Sequence, residues 1–393
     1  MKIYEIATGF TSIPARIGAA TEIVVENLVN AFSTNNEVTL IDLKNPERKT
    51  GEYPVIEINL PSWATQPASF LSWRHRAKRV LYSFKLALKI KKLLKTETKA
   101  VFHFHNQYNF YFSYRWCFFF KPKSNDIKLA YTLHTPLWSE DIETINRTAK
   151  KRYFMEIFAM KHADIVICLN PKIKKNLEEF FHGKINSKLG IIPNGVDNNT
   201  YHPARKEIAE DKGLNFVNIG SVCDRKNQLK TIRLLKPILE NNDSHFYYAG
   251  AIADEQYMQD IEEYVEENNL ADKVIYLGEI SPGKSLNQEY NNADIYISHS
   301  KSEAFSLTIL EAMSAGLPVL VSKSFETSIN GMPPTSALTM CSSDEDFYNQ
   351  INILLKDRPL LENLKEESVN YIQENFTWEQ IAKEHENVFN ANM

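Results

Sequence analysis

The sequence predicts an α/β protein made of two similar units, each a parallel sheet flanked by helices. Three observations predict this. Short apolar runs alternate with longer helix-like stretches from end to end, the pattern of strand–helix–strand units. One run, ADIVICL at 163–169, is echoed in the other half by NADIYIS at 292–298. The charge also divides: residues 1–190 carry 29 Lys+Arg against 17 Asp+Glu, net +12, and the remainder 16 against 32, net −16, which sum to −4. A chain of 393 residues is long enough for two domains, and halves of opposite sign imply different partners.

Composition is that of a globular protein, 43% hydrophobic and 24% charged, with no low-complexity tract. No apolar run is long enough to span a bilayer. MKIYEIATGF at the start reads as a strand and lacks the apolar core of a signal peptide. Cys117, Cys168, Cys223 and Cys341 are far apart and match no metal spacing, which fits reduced thiols in a cytoplasmic protein.

In order, Lys2–Ile6 reads as the first strand, followed by a loop over 9–20 with Gly18, a helix over 21–30 and a strand over 38–41. Gly18 stands without the G-x-G-x-x-G spacing, so a dinucleotide site is not supported. Residues 58–96 contain no acid but nine cations, among them Arg74, Arg76, Lys78, Arg79 and Lys85, interleaved with Trp63, Trp73 and Phe84. The stretch 73–95 is expected to form a basic amphipathic helix. Such a helix either packs on the sheet with a solvated basic face or lies on an anionic membrane. VFHFH at 101–105 reads as a buried strand with His103 and His105 on one face; no third ligand is evident, so no metal site is assigned. The aromatic run 108–120 suits core packing, or an acceptor or membrane surface. A strand over 127–132 ends at His134, placed where α/β sheets meet ligands. The turn Pro193-Asn194-Gly195 and the stop at Pro203 put the domain boundary near 199. The expected domains are 1–198 and 199–375, with a final helix over 376–393 returning to the first.

The second half opens with a strand over 216–219 and a Gly220 turn, GSVCDRKNQ, before a helix over 228–239. Arg225 and Lys226 just before a helix N-terminus form a diphosphate cradle by chemistry alone. Strands follow at 245–249 and 274–277, the latter running into Ile280. The centrepiece is SEAFSLTILEAMSAGLPVL, 302–320, between strands at 294–298 and 318–322. Its helix, 306–315, closes at Gly316. Glu303 falls at the carboxyl end of a strand. The amides of Ala304, Phe305, Ser306 and Leu307 open the helix and suit an anion. Glu311 sits in the helix with no charged neighbour three or four positions away. Asp344-Glu345-Asp346 reads as helix N-terminal charge rather than a metal-binding D-x-D.

EAFSLTILEA resembles the E-x7-E signature of retaining glycosyltransferases of family 4, and PNGVD at 193–197 resembles that family's crossing between lobes. The resemblance implies the GT-B fold, two Rossmann-like lobes facing an inter-domain cleft. It implies that Glu303 holds hydroxyls of the donor sugar, Glu311 holds the ribose, and His134 lies near the reacting sugar. It places the Gly18 loop near the donor phosphates and Ile280 in the base pocket. In the family's G-R-x-x-x-x-K-G pattern Lys226 matches the lysine, Ser221 stands at the arginine and Asn227 at the last glycine; Arg225 is taken as the replacement charge. Ala304 and Ser306 stand where glycine is common. The implied activity is retaining, metal-independent transfer of a hexose or N-acetylhexosamine from a nucleotide sugar, by family frequency UDP-linked, to a glycan, lipid-linked or cell-envelope acceptor. No cofactor beyond the donor is expected, nor nucleic acid, and 58–96 would touch the inner membrane face. A sugar phosphorylase of the same fold and a non-catalytic nucleotide-sugar-binding scaffold are the alternatives.

Overall fold

The computed structural model describes residues 1–14, 20–34, 36–46, 48, 53–65, 73–118, 126–204, 213–303, 305–329 and 331–393. It divides into one unit of Met1–Pro193 with Trp378–Met393 and a second of Asn194–Thr377. Both boundaries differ from those expected. The reason is local: Val196 donates its N–H to Phe376 O at 2.9 Å and pairs in parallel with Thr377, so residues 194–197 belong to the second unit.

Among the described residues the first unit holds seven strands: β1 (Lys2–Ile6), β2 (Glu37–Leu43), β3 (Val55–Ile58), β4 (Ala100–Phe104), β5 (Ile127–Thr132), β6 (Ile165–Cys168) and β7 (Leu189–Ile191). Their order is β3-β2-β1-β4-β5-β6-β7 and every pairing is parallel. The last helix, Trp378–Asn392, packs on the first, Ala20–Phe32, through Phe389 and His385 against Phe32, with ring centroids 6.3 and 6.0 Å apart.

The second unit holds β8 (Asn215–Ile219), β9 (His245–Ala249), β10 (Val274–Tyr276), β11 (Ile295–Ser298), β12 (Val319–Ser322) and β13 (Leu338–Cys341), ordered β10-β9-β8-β11-β12-β13, again parallel throughout. Side chains alternate between two cores. Val217, Tyr296, Val319 and Val321 enter one, while Phe216, Ile295, Ile297 and Leu320 enter the other. A sheet covered on both faces needs apolar residues at consecutive positions, which is why these strands read as unbroken runs.

Three strands, β3, β7 and β13, are not evident in the sequence. All lie at sheet edges, where burial is partial and the apolar signal is weak. In each sheet the strand order reverses once, at β1/β4 and at β8/β11. Such reversals leave a crevice beyond the carboxyl ends of the strands, where open α/β sheets bind ligands.

Candidate functional site

In the second unit that crevice is made by the loops after β8 and β11. The first of these leaves the sheet at Gly220, whose N–H donates to Ala249 O at 2.8 Å. Gly250 lies so near that a Cβ on it would sit 2.2 Å from Gly220 O. The chain then turns into the helix Gln228–Asn241 through Asn227, at φ 60° and ψ 38°. Asparagine tolerates this left-handed conformation better than other side chains, so it fills the place where the family pattern has glycine. Its Nδ2 donates to His299 O at 3.2 Å.

The turn folds the Lys226 side chain back over Gly220 and delivers its Nζ to Glu303 Oε1 at 2.6 Å. Arg225 Nη1 reaches the same oxygen at 3.0 Å and Ser302 O at 2.9 Å. Ser300 Oγ donates to it at 2.7 Å. Burial pushes the Glu303 carboxyl up, but Lys226, Ser300 and Arg225 outweigh it and hold it below its usual range. Three of the four expected catalytic residues therefore form one ionic cluster, with Arg225 the more exposed cation.

Glu311 stands apart from that cluster. It is buried on the helix Leu307–Ser314 and accepts a hydrogen bond from Tyr290 Oη at 2.9 Å. Burial drives its carboxyl up to about 7, with Tyr290 and Tyr201 opposing. Tyr296, whose hydroxyl meets Thr308 Oγ1 at 2.8 Å, is raised first by burial and then by both Glu303 and Glu311. Ser306 caps the helix by backbone position only; its Oγ meets Thr308 Oγ1 at 3.0 Å. Phe305 and Ile280 are partly buried against the core, and Leu307 is partly exposed at the first turn. Ser221, too short to replace an arginine, accepts at its carbonyl from Gln228 Nε2 at 3.0 Å. Ala304 and Gly18 lie outside the described residues.

In the first unit His134 follows β5 and is half-buried. Its Nε2 meets His105 Nδ1 at 3.0 Å. His105 Nε2 meets Glu5 Oε2 at 2.9 Å, Glu5 Oε1 meets His103 Nδ1 at 2.7 Å, and His103 Nε2 meets Thr132 Oγ1 at 2.7 Å. Glu5, His103 and His105 also form a group within metal-binding reach, with ligand atoms within 4.8 Å of one another. These side chains already satisfy one another directly, so no metal is assigned to them. The two histidines are evident in the sequence, whereas the acid that joins them is not. A glutamate in the middle of the buried run KIYEI was the signal that could have found it.

The helix Trp73–Leu93 forms as expected. Two of its cations turn inward: Lys78 Nζ donates to Phe10 O at 2.7 Å, and the Arg79 guanidinium lies 4.9 Å from the Tyr108 ring centroid. The outward face carries Trp73, Val80, Phe84 and Leu88, at 70, 49, 42 and 53% exposure, beside exposed Arg74, Arg76, Lys91 and Lys92. Phe84 packs edge-on against exposed Trp116 at 4.9 Å. Asp344, Glu345 and Asp346 open the helix Asp344–Lys356 behind the Ser343 cap, and Asp346 is engaged by Ser342.

Two cations and a buried carboxylate beside two helix N-termini form a site that can hold a diphosphate and a polyhydroxyl group together. Residues 202–370 match the family described as glycosyl transferases group 1, and residues 21–200 match glycosyltransferase family 4. The chain belongs to the family 4 glycosyltransferases and has the GT-B fold. The Escherichia coli UDP-Gal:alpha-D-GlcNAc-diphosphoundecaprenol alpha-1,3-galactosyltransferase is 32% identical over 182 residues, 43% of this chain and 45% of that enzyme. The chain spans between 40 and 66% of the length of the curated relatives it matches. The fold is shared with sucrose-phosphate synthase from Thermosynechococcus elongatus, at TM-score 0.73 and 18% identity over 100% of this chain and 98% of that one. It is also shared with the catalytic domain of starch synthase IV from Arabidopsis thaliana, at TM-score 0.75 and 16% identity over 100 and 99% of the two chains.

Proposed function

We propose that this chain is a retaining glycosyltransferase that moves a hexose or N-acetylhexosamine from a UDP-sugar to a lipid-linked or other envelope glycan acceptor. The carrying observation is the cluster of Lys226, Arg225 and Glu303 beyond β8 and β11. On donor binding the diphosphate takes over the two cations. Positive charge at the leaving group lowers the barrier as negative charge develops there. Glu303, released from the ion pairs, accepts hydrogen bonds from sugar hydroxyls and fixes the reacting carbon. Glu311 accepts from the ribose, and the amides opening the helix Leu307–Ser314 add donors to the phosphate. Each of these roles is filled by a side chain or amide, so the reaction as proposed needs no metal. The UDP assignment is supported by the E. coli relative, whose name gives a UDP-galactose donor.

The same relative acts on a diphosphoundecaprenol-linked sugar. That supports a lipid-linked acceptor here, reached from an anionic membrane surface through the outward face of the helix Trp73–Leu93. A thermal-shift screen of nucleotides and nucleotide sugars tests the donor. Stabilisation by UDP-sugars, followed by transfer with retained anomeric configuration, is the expected result. Turnover with inorganic phosphate and an oligosaccharide, giving sugar 1-phosphate, would make the chain a phosphorylase instead. Donor binding without turnover over a broad acceptor panel would make it a binding scaffold.

A further inference from the structure

We infer that Glu5 and His105 are positioning residues that hold the His134 imidazole in a single tautomer, Nε2–H, and leave Nδ1 as a hydrogen-bond acceptor for a substrate hydroxyl. The inference rests on the reading of His134 as a sugar-facing residue. It follows from donor–acceptor bookkeeping along the chain of contacts. Glu5 lies within the sheet on β1 with both oxygens engaged, Oε1 by His103 Nδ1 at 2.7 Å and Oε2 by His105 Nε2 at 2.9 Å. Burial pushes Glu5 up, yet the charge and hydrogen bond of His103 and the hydrogen bond of His105 bring it down to about 2, so it is an acceptor-only carboxylate. Both facing nitrogens must then carry protons.

A neutral imidazole has one N–H. Burial brings His105 down to about 4, so near neutral pH its single proton sits on Nε2, facing Glu5. Its Nδ1 is therefore a bare lone pair, 3.0 Å from His134 Nε2, and His134 must donate there. Burial and the neighbouring histidines hold His134 well below its usual range as well, so its one proton is committed to this bond and its Nδ1 is bare. Among the described residues no other group bonds to the His134 ring. The branch through His105 does not depend on the charge of His103, whose Nδ1–H faces Glu5 in either state. His385, from the helix Trp378–Asn392, packs 5.5 Å from the His103 ring and bonds through Nδ1 to Ile381 O at 2.8 Å, so it stays off the relay.

The test is the ring-nitrogen NMR spectrum of His134 in the 15N-histidine-labelled full chain, near neutral pH and without substrate, alongside transfer kinetics. In the wild type Nε2 should be protonated and Nδ1 bare. His105→Gln should keep this pattern, because an amide can donate to Glu5 and accept from His134 in the same sense. His105→Phe should give mixed tautomers and a roughly tenfold to hundredfold lower kcat, the cost of a misdirected buried hydrogen bond. An Nδ1–H tautomer in the wild type overturns the inference, as does an unchanged spectrum in His105→Phe. The sugar-facing reading fails on a separate arm, His134→Ala with wild-type transfer rates, and the positioning role falls with it. Because the spectrum needs no substrate, it reads the relay even if no transfer is detected with any donor, which would be the failure of the proposed function.

Discussion

Lys226 Nζ lies 2.6 Å from Glu303 Oε1, and the two residues come from loops on neighbouring strands, 77 positions apart in sequence. The pair is nearly dry: their side chains are 15 and 11% exposed. Without a donor each group satisfies the other. In the proposed reaction a donor frees the lysine to meet phosphate and the glutamate to meet sugar hydroxyls.

Lys226→Ala should therefore lower kcat by roughly a hundredfold or more, the loss of one preorganised stabiliser of the departing diphosphate. Arg225 is 44% exposed at the same carboxylate, where solvent screens it, so Arg225→Ala should cost less, about tenfold. Steady-state kinetics with the best donor in the thermal screen checks both. Equal losses would mean that Arg225 fully replaces the arginine missing at Ser221. No loss for Lys226→Ala would remove it from the phosphate site.

Asn227 gives a prediction about stability. At φ 60°, Asn227→Gly should be neutral within a few tenths of a kcal/mol or slightly stabilising. Asn227→Ala should lose roughly 1–2 kcal/mol, from the left-handed backbone alone. Thermal unfolding of the two variants separates the backbone contribution from the Nδ2 bond to His299 O. Equal destabilisation by glycine and alanine would put the effect in that bond.

Glu311 makes the second unit sensitive to rising pH. Its folded carboxyl sits at about 7, above the ordinary 4.5. Between these values the unfolded chain releases the proton while the folded one keeps it. The stability it contributes is complete below 4.5 and lost as pH rises through about 7. Glu311→Gln should flatten that slope in melting temperature against pH. Donor affinity should move the other way and strengthen as Glu311 ionises near pH 7, since only the carboxylate accepts two ribose hydroxyls freely. A donor Kd independent of pH from 6 to 8, in about unit steps, would take Glu311 out of the ribose site.

The Glu5 and histidine cluster of the first unit has the opposite sign. Burial lowers His105 from 6.5 to about 4 and His385 from 6.5 to about 3, while Glu5 falls from 4.5 to about 2. Each is depressed on folding, so each contributes stability that is present above its unfolded value and lost as pH falls toward its folded one. Acidification from pH 6.5 should thus remove the stability that this cluster contributes to the first unit. Tryptophan fluorescence reads it selectively at Trp138, buried in the first unit, in a variant whose other tryptophans are replaced by phenylalanine. A Trp138 signal that stays native down to about pH 4 would contradict the assignment.

The site was legible where chemistry and spacing coincide within one segment. The strand end before Glu303, the Gly220 turn and the cations before the helix Gln228–Asn241 each carry their meaning locally. What was not legible was partnership across the sheets. Nothing in the sequence joins Glu5 to His103, 98 positions away, or Tyr290 to Glu311, 21 positions away. The first contact exists because parallel strands bring distant positions into register, Glu5 pairing with His103 and His103 with Ala130, and the second because the helix Lys284–Asn292 meets the helix Leu307–Ser314 at Tyr290 and Glu311. The inward turn of Lys78 and Arg79 was hidden for a related reason. A helical period identifies a face but does not say which long cations fold back from its rim to the Phe10 carbonyl or the Tyr108 ring.

Lys78 and Arg79 are engaged inside the fold, and Lys85 Nζ is held by Asn59 O at 2.6 Å. The exposed cations of the helix include Arg74, Arg76, Lys89, Lys91 and Lys92, flanking the exposed stripe of Trp73, Val80, Phe84 and Leu88. An apolar stripe edged by cations is the pattern of a helix lying in a bilayer interface. Each cation close to an anionic surface contributes roughly 1 kcal/mol, screened within a Debye length of about 8 Å at physiological salt. Among the described residues no helix is long and apolar enough to cross a membrane, so the expected attachment is peripheral and salt-sensitive. Sedimentation with vesicles containing anionic phospholipid, at low and high salt, measures it. Arg74→Glu, Arg76→Glu, Lys91→Glu, Lys92→Glu together should abolish binding, and Trp73→Ser with Phe84→Ser should weaken it even at low salt. Both variants should keep wild-type donor binding, because the substitutions lie outside the Lys226–Glu303 cluster proposed to hold the donor. If the wild type remains in the supernatant at low salt, the basic face is a solvated helix surface, and a soluble glycan becomes the acceptor to test.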